Sequence, residues 1–382
     1  MRPMRFFLLL LAVLGSAGVV AEANQEPPRD IQGLIARLPD FDRATRVDAA
    51  RQIRRAPSAD AVRALAAAVR ESRDEYVRYR ALVLLVSFED PSTDALMRSL
   101  MSDRNDRVRE VTYRWREDHP DGAMAMQLLA ALETEQAEFV RPALVGALAK
   151  LGSDPAVRRA LIVESGRGLD FFRAAVIDAL GRTRADWALA AVTSAAEMDG
   201  PLRDDALIAI GRIGDKRSLA LISQVPSRPP DAAMAAEAAR CLLGDDCASR
   251  IAGIEAVTTA RGASADALRA GAFALATLVA ASPEALPTLA RLLQNPSTSE
   301  AAALAFGAAA LRYPDQVFAR LDGGDEAVRG LALDALRDAF DRLEEDYAEE
   351  RFFAEARKAY WGAPEGSSRR LMLAALIDKL EF

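Results

Sequence analysis

The residue types that carry most enzyme chemistry are sparse in this chain. It contains a single histidine, His119, which cannot by itself build a histidine-rich metal site. The motifs HExxH, GxSxG and GxxxxGK[ST], which mark zinc proteases, serine hydrolases and phosphate-binding loops, do not occur. We interpret the carboxylates at 344–346 as a solvated helix face, and the Asp-Gly-Gly-Asp segment at 322–325 lacks the spacing of a calcium loop. The sequence therefore predicts no catalytic residue, no metal and no cofactor.

Side chains suited to binding are more abundant and are concentrated in two neighbouring segments. Tyrosine, tryptophan and arginine dominate the energetic hot spots of protein interfaces. They cluster here, with the histidine, at Tyr76, Tyr79, Arg80, Tyr113, Arg114, Trp115, Arg116 and His119. This cluster is a candidate partner-binding patch in the N-terminal third. We favour the simpler interpretation, in which the helix ends early, His119 belongs to a loop and Arg116 extends to solvent.

A second set of arginines recurs at a regular interval. It consists of Arg78, Arg109, Arg141, Arg173, Arg203, Arg269 and Arg329. One interpretation is an anion-binding stripe along one face. We favour a structural ladder, in which each arginine binds turn carbonyls and a nearby acid, because a planar guanidinium can bridge several acceptors. The candidate acids are Asp103, Glu135, Asp199 and Asp325.

These arginines belong to a phrase that repeats along the chain and that must be positioned by repeated elements. It reads EYVRYRALVLL around Val77 and returns around Val108, Val140, Phe172, Leu202, Leu268 and Val328. The first five anchors are 31, 32, 32 and 30 residues apart, which is typical of a repeat array. Apolar or small residues follow each anchor at +3, +4, +7, +8 and +11, as on an amphipathic helix. The pattern predicts an all-α solenoid of about eleven antiparallel helix pairs.

The array is predicted to occupy residues 24–382 as one domain. The Pro-rich segment at 226–230 is a possible kink, and residues 347–382 are a predicted C-terminal capping pair with a charged outer face. One repeat departs from the pattern: Trp115, Arg116 and His119 stand where other repeats carry small or apolar residues. Such a local exception favours a functional site.

Three segments resemble a known family of repeats. IGRIGDKRSLALI at 210–222 is similar to the HEAT-like repeat of phycobilisome lyases. VRPALVGALAKLGSDPAV at 140–157 and LLQNPSTSEAAALAFGAAAL at 292–311 resemble general HEAT repeats, although Thr298 and Ser299 stand where the family carries Val-Arg. The resemblance implies a right-handed α-solenoid of the armadillo-like class, with a concave face lined by the second helices. It does not imply lyase activity, because this chain is predicted to be exported.

Export is predicted from the N-terminus. Arg2 and Arg5 precede an apolar run at 6–20, and Ala21-Glu22-Ala23 has the form of a signal-peptidase site. The run of 15 residues is shorter than the ~20 that span a bilayer, so we predict a cleaved signal at 1–23 rather than an N-terminal anchor. The expected location is the periplasm, with secretion as the alternative.

Charge and cysteine content follow from that prediction. Residues 24–382 carry 49 − 2 = 47 basic and 56 − 1 = 55 acidic residues, a net charge of −8, which argues against nucleic-acid backbone binding. Cys241 and Cys247 lie in CLLGDDC across a predicted helix end. In an oxidising compartment they are predicted to form a local disulfide worth roughly 2–3 kcal/mol, with two free buried thiols as the alternative.

The sequence thus favours an exported, non-enzymatic scaffold that binds a protein or peptide on its concave face. Two other functions stay open. One is an envelope enzyme or a carbohydrate- or small-molecule-binding accessory with a pocket between repeats, and the other is a structural spacer without a specific ligand.

Overall fold

The fold is all-α and consists of helix pairs. A computed structural model describes residues 30–198, 200–224, 230–323, 326–343 and 345–380. The signal segment 1–23, residues 226–229 of the possible kink, and the acids Asp199 and Asp325 lie outside the described residues. Within them there is no β-strand, and the helices form eleven consecutive pairs, as predicted from the repeat interval.

The pairs follow one another along the chain. They are α1 (Ile31–Ala36) with α2 (Arg43–Arg54), α3 (Ser58–Glu71) with α4 (Glu75–Val86), α5 (Asp94–Leu100) with α6 (Asp106–Asp118), α7 (Ala125–Thr134) with α8 (Arg141–Ala149), α9 (Pro155–Ser165) with α10 (Asp170–Arg182), α11 (Leu189–Ala196) with α12 (Pro201–Ile213), α13 (Leu219–Ile222) with α14 (Pro230–Leu242), α15 (Cys247–Thr258) with α16 (Ala265–Thr277), α17 (Ala285–Gln294) with α18 (Ser299–Arg312), α19 (Pro314–Asp322) with α20 (Glu326–Leu343), and α21 (Asp346–Gly362) with α22 (Ser368–Leu380).

Many of these helices begin at an acidic or amide residue that caps the first turn. The side chain of Asp74 accepts hydrogen bonds from the backbone N–H groups of Tyr76 and Val77, and Asn105 does the same at the start of α6. Such caps satisfy amides that have no partner within the helix and stabilise a helix by about 1 kcal/mol. The turn residues of the repeat phrase therefore determine where each second helix starts.

The second helices stack on one another from α4 to α20. Two glycines permit an unusually close approach in the middle of this stack. A Cβ atom at Gly181 would lie 2.8 Å from the Cα of Ala209, and one at Gly211 would lie 2.8 Å from the Cα of Ala239. Because no side chain larger than hydrogen fits there, α10, α12 and α14 form a tight continuous wall.

The last pair returns to the first repeats. Helix α21 contacts α18 and α19 of its own end of the chain and also contacts α4, more than 250 residues earlier. The concave side predicted for the solenoid is therefore partly filled by the chain's own C-terminal region. Helix α21 is the element that brings the two ends together.

Candidate binding surface

The second helices line an inner surface with a cavity of about 580 Å³. Its walls come from α6, α8 and α10 on one side and from α16 and α18 on the other. Helix α21 closes it with Tyr347, Ala348 and Arg351. The volume lies within the range of small-ligand and peptide side-chain pockets. The cavity is the candidate binding site on this surface.

A buried ion pair anchors α21 to the first repeat. Arg54 of α2 donates from Nε to Oε2 of Glu350 at 3.0 Å, and its Nη2 bonds the second carboxylate oxygen. Both side chains are almost fully enclosed. Burial alone opposes ionisation of Glu350, but the adjacent Arg54 guanidinium holds the pKa of this carboxyl below its usual value. The pair remains charged because each member compensates the other.

Two further contacts extend this anchor along the helix. Asp346 accepts hydrogen bonds from the Tyr79 hydroxyl and from Arg80 Nη1, the latter at 3.1 Å. Asp118, at the end of α6, accepts from the Tyr347 hydroxyl at 2.6 Å and from Arg351 at 2.9 Å. Helix α21 therefore offers carboxylates to Arg54 and Arg80 and hydrogen-bond donors to Asp118.

This helix carries more carboxylates than its partners can neutralise. Burial, with the nearby charges of Asp346 and Glu350, raises the pKa of Glu349 to about 8. Burial also raises the pKa of Glu110 on the facing helix α6. Glu349 is consequently protonated near neutral pH, so that it adds no net charge to the contact.

The sequence predicts a solvated acidic helix face at 344–346, of which Glu344 lies outside the described residues and Glu345 is exposed. Asp346 instead bonds Tyr79 and Arg80, and Glu350 is buried against Arg54. The charged face of this helix is turned inward to the first repeats. The capping role of residues 347–382 stays a prediction.

The eight residues of the predicted partner-binding patch do not form one exposed surface. Tyr79 and Arg80 contact α21, whereas the Tyr113 hydroxyl donates to the carbonyl of Met101 at 2.8 Å on the opposite side of α6. Arg114 lines the cavity, and Tyr76 is 46% exposed. The expectation of a single docking patch is corrected by burial, because Tyr79, Tyr113, Trp115 and Arg116 are buried.

The exceptional third repeat has a structural explanation. His119 caps the end of α6, and its ring stacks on that of Trp115 with centroids 4.0 Å apart. Arg116 lies over the same indole at 4.7 Å and donates to Asp94 Oδ1 at 2.8 Å. Since Arg116 is buried and paired, it does not extend to solvent. The three side chains join α6 to α5 of the same pair.

The recurring arginines link successive pairs. Arg109 donates to both carboxylate oxygens of Glu135 at 2.7 Å and to the carbonyl of Asp103 at 2.8 Å. Arg78 bonds the Val69 carbonyl and the Asp103 carboxylate. These contacts have the form of the predicted ladder, with each arginine reaching a turn carbonyl of its own pair and an acid of the next.

The later members of the set differ from one another. Arg141 bonds Glu164 and lies over the ring of Phe172, and Arg173 donates to the carbonyl of Ser165. Arg203 reaches Asp204 of its own helix, and Arg329 donates to the carbonyl of Leu321. Among the described residues, Arg269 bonds Asp266 of its own helix. Bridges to an acid of the next pair are thus observed for Arg78, Arg109 and Arg141.

A group that the sequence interpretation missed lies next to the cavity, around Asp178 of α10. Its carboxylate accepts from Arg182 at 2.8 Å and from Arg212 at 2.5 Å, and Arg312 of α18 approaches to 3.9 Å. Burial opposes ionisation, but these three guanidinium groups lower the pKa of Asp178 to about 2. Arg182 also binds Glu117 of α6, across Gly146. Arg182 and Arg212 lie on α10 and on the adjacent α12, whereas Arg312 joins the group because curvature brings α18 to α10, which no local motif signals.

The described residues contain one disulfide and neither a metal-binding cluster nor a membrane-spanning helix. Cys241 and Cys247 are joined by a disulfide that links α14 to α15. In these ranges no three or more His, Cys, Asp or Glu side chains converge as metal ligands. Likewise, no described helix combines the length and the apolar character needed to cross a bilayer.

Comparison with known proteins identifies the repeat type. Residues 31–114, which comprise the first three helix pairs, match the family model described as HEAT repeats. The same helix-pair organisation continues to residue 380. Residues 31–114 therefore match HEAT repeats, the repeat type that the resemblance implied. Comparison with curated protein sequences gives no match.

Several solved structures are similar to this chain at low identity. The crystal structure of Kap121p bound to Pho4p has 13% identity and a TM-score of 0.40, and the match covers 93% of this chain and 48% of that one. A Kap95p structure with RanGDP has 14% identity and a TM-score of 0.34, covering 92% and 54%. An engineered protein has 16% identity and a TM-score of 0.29, covering 92% and 99%. This chain spans about half the length of the Kap121p and Kap95p chains that it matches.

Proposed function

We propose that this protein is an exported, non-enzymatic scaffold that binds a protein or peptide partner on the inner surface of its helix pairs. The observation that supports this function most directly is the cavity among the second helices. Helical-repeat arrays use extended inner surfaces for binding, and here that surface retains unfilled space with charged and aromatic side chains around it. The partner is proposed to enter this space.

One part of the inner surface is covered by α21, and the other part is accessible to a partner. The part formed by α2, α4 and the start of α6 is already covered by α21 through Arg54, Arg80 and their carboxylate partners. The part formed by α6, α8, α10, α16 and α18 surrounds the cavity. A partner therefore binds the second part, and α21 contributes one wall of its site.

Export is part of the proposal. It is supported by the basic and apolar N-terminal sequence with its Ala-Glu-Ala site at 21–23. The disulfide between Cys241 and Cys247 agrees with an oxidising compartment, since such bonds are rare in reducing cytosol. Fractionation of cells that express the full chain, followed by N-terminal sequencing, tests this point. A mature protein that begins at Asn24 in the periplasm is expected, and an uncleaved cytosolic chain would refute export.

Affinity capture tests the binding function. Residues 24–382 are immobilised and exposed to solubilised native cell envelope, beside a Lys150→Glu variant that reverses a charge at the cavity. Lys358→Glu, on an exposed part of α21 outside the cavity, is the matched control. A partner retained by the wild type and the control but lost by Lys150→Glu supports the proposal. A partner bound equally by all three would place the site elsewhere, and no specific capture would contradict the scaffold function.

A further inference from the structure

The two walls of the cavity differ in chemistry. One wall is cationic and contains Arg114 of α6, Lys150 at the end of α8 and Arg182 of α10, while Arg312 of α18 and Arg351 of α21 line other parts of the cavity. Carboxylates on the same lining are Glu117, Asp118 and Glu345. Five cations thus line the cavity with three carboxylates, while Asp178 behind the lining binds Arg182 and Arg312, and Glu110 pairs with Arg114. An anionic ligand is attracted by whichever of these cations has no carboxylate partner.

The ion pairs of these side chains show which positive charge is available to a ligand. Arg182 is bound to Glu117 and Asp178, and Arg351 is bound to Asp118. No described residue forms an ion pair or hydrogen bond with the Lys150 ammonium group. Lys150 is exposed at the cavity, so its charge is free to meet a ligand.

The opposite wall carries small apolar side chains. Ala276 of α16 and Ala308 and Ala309 of α18 line it beside Thr277 and Arg312, and Ala308 is the most exposed of the three alanines. Phe273 of α16 projects into this region and is 39% exposed, although it lies on a helix whose other face is core. An exposed aromatic ring beside small residues is a favourable contact for an apolar side chain.

We propose that the cavity binds a peptide segment in which a carboxylate side chain stands next to an aromatic or branched apolar one. The carboxylate meets Lys150 and Arg114, and the apolar group packs on Phe273 and the alanines of α16 and α18. This inference rests on the proposed scaffold function and adds the chemistry of the segment that the scaffold recognises. It also gives α21 a role, because Tyr347 and Arg351 complete the cavity only when that helix is docked.

The test uses the mature chain, residues 24–382, and three synthetic peptides in isothermal titration calorimetry. The probe is the amidated, acetylated pentapeptide GDFDG. In GNFNG the carboxylates are replaced by amides, and in GDSDG the ring is removed. The wild type is expected to bind GDFDG at least about tenfold more tightly than either control peptide, because each wall loses its contact.

Protein variants locate the binding. Lys150→Gln is expected to weaken GDFDG binding by about fivefold, and Phe273→Ala by a similar factor, while Lys358→Gln leaves it unchanged. Circular dichroism and thermal unfolding of each variant verify that the fold is retained. Equal binding of all three peptides, or equal binding by Lys150→Gln and the wild type, would overturn the proposal.

The outcome separates this inference from the scaffold function. If envelope capture recovers a partner whose binding is unaffected by Phe273→Ala and which lacks an acidic–apolar segment, the scaffold function stands and the cavity assignment fails. If GDFDG binds as expected but envelope capture recovers nothing specific, the cavity chemistry stands. The natural ligand would then be a small amphipathic anion rather than a protein.

Discussion

The N-terminal and C-terminal halves of this array hold their repeats together by different means. From α4 to α9, arginines bridge each pair to the next through Asp103, Glu135 and Glu164. From α19 to α21, the rings of Phe318, Phe340, Phe352 and Phe353 form a continuous cluster with centroids 5.2–6.4 Å apart. The N-terminal half thus adds directed polar bonds in its turns to its apolar core, and the C-terminal half has a cluster of aromatic rings within its core.

Helix α21 shows both kinds of contact at once. Phe352 and Phe353 fix it to the C-terminal pairs, while Asp346 and Glu350 bond Tyr79, Arg80 and Arg54 of the N-terminal repeats. The aromatic side resembles the rest of its own half, and the acidic side matches the arginine-rich half that it meets. The difference between the halves therefore continues into the contact that joins them.

The largest effect is expected from removing the centre of the aromatic cluster. Phe352→Ala should lower the free energy of unfolding by about 3–5 kcal/mol, because the buried ring contacts three other phenylalanines and leaves a cavity. Urea denaturation followed by circular dichroism measures this loss of free energy. Trp361→Ala is the control on the same helix, since that ring is 72% exposed and its loss should cost less than about 1 kcal/mol. Equal effects of the two changes would refute an apolar basis for this half.

The next effect concerns the polar half. Arg109→Ala should cost about 3 kcal/mol, because it leaves the buried Glu135 carboxylate without its cation. Denaturation of the single variant and of Arg109→Ala with Glu135→Ala measures the coupling. The double variant should be destabilised by less than the sum of the two single variants. Strict additivity would show that the pair does not act as a unit.

The sequence predicts the arginine bridges between neighbouring repeats much better than the contact of α21 with the first repeats. Arg109 and Glu135 both occur within the repeat phrase, so a bond between neighbouring turns follows from one period of the pattern. The helix pairs themselves are also predictable from the apolar spacing. The contact of Glu350 with Arg54 spans 296 residues and depends on the accumulated curvature of ten repeats, which no local pattern specifies. An excess of acids on α21 and of arginines on α2 and α4 was the available signal.

Trp115 illustrates a different failure of prediction. A bulky ring at a position that other repeats fill with alanine is compatible with an exposed binding residue or with a helix that ends early. The ring is instead enclosed by His119 and Arg116, two neighbours that also depart from the pattern. Substitutions that compensate one another within one helix turn preserve the core. A single residue compared with its counterparts in other repeats cannot reveal that compensation.

A smaller effect is expected from pH at the contact between the halves. The pKa of Glu349 is raised to about 8 in the folded protein, against 4.5 for an ordinary glutamate. The folded state therefore binds a proton that the unfolded state has lost, and stability contributed by this group falls as pH rises from about 4.5 to 8. The neighbouring groups are Asp346, Glu350 and Arg80. Over this pH range the free energy of unfolding should fall by roughly 2 kcal/mol, once the partial exposure of Glu349 is discounted.

Glu349→Gln provides the comparison for this pH dependence. The variant cannot ionise at that position, so its free energy of unfolding should decline less between pH 5 and pH 8 than that of the wild type. Glu350 acts in the opposite direction, since its pKa is lowered and its contribution is lost only as pH falls below the usual range of a glutamate. Parallel pH profiles of wild type and Glu349→Gln would exclude Glu349 as the source.

The smallest effect decides whether the two halves really differ. Arg269 occupies the same position in its repeat as Arg109, but its side chain is 57% exposed and binds only Asp266 on its own helix. Arg269→Ala should change the free energy of unfolding by less than about 0.5 kcal/mol, as for other surface ion pairs. Urea denaturation of Arg269→Ala and Arg109→Ala under the same conditions gives the ratio of their losses in the free energy of unfolding. A cost similar to that of Arg109→Ala would mean that the arginine ladder continues through the C-terminal half. A negligible cost means that in this half the repeat phrase has kept its arginine while aromatic and small apolar residues hold the helices together.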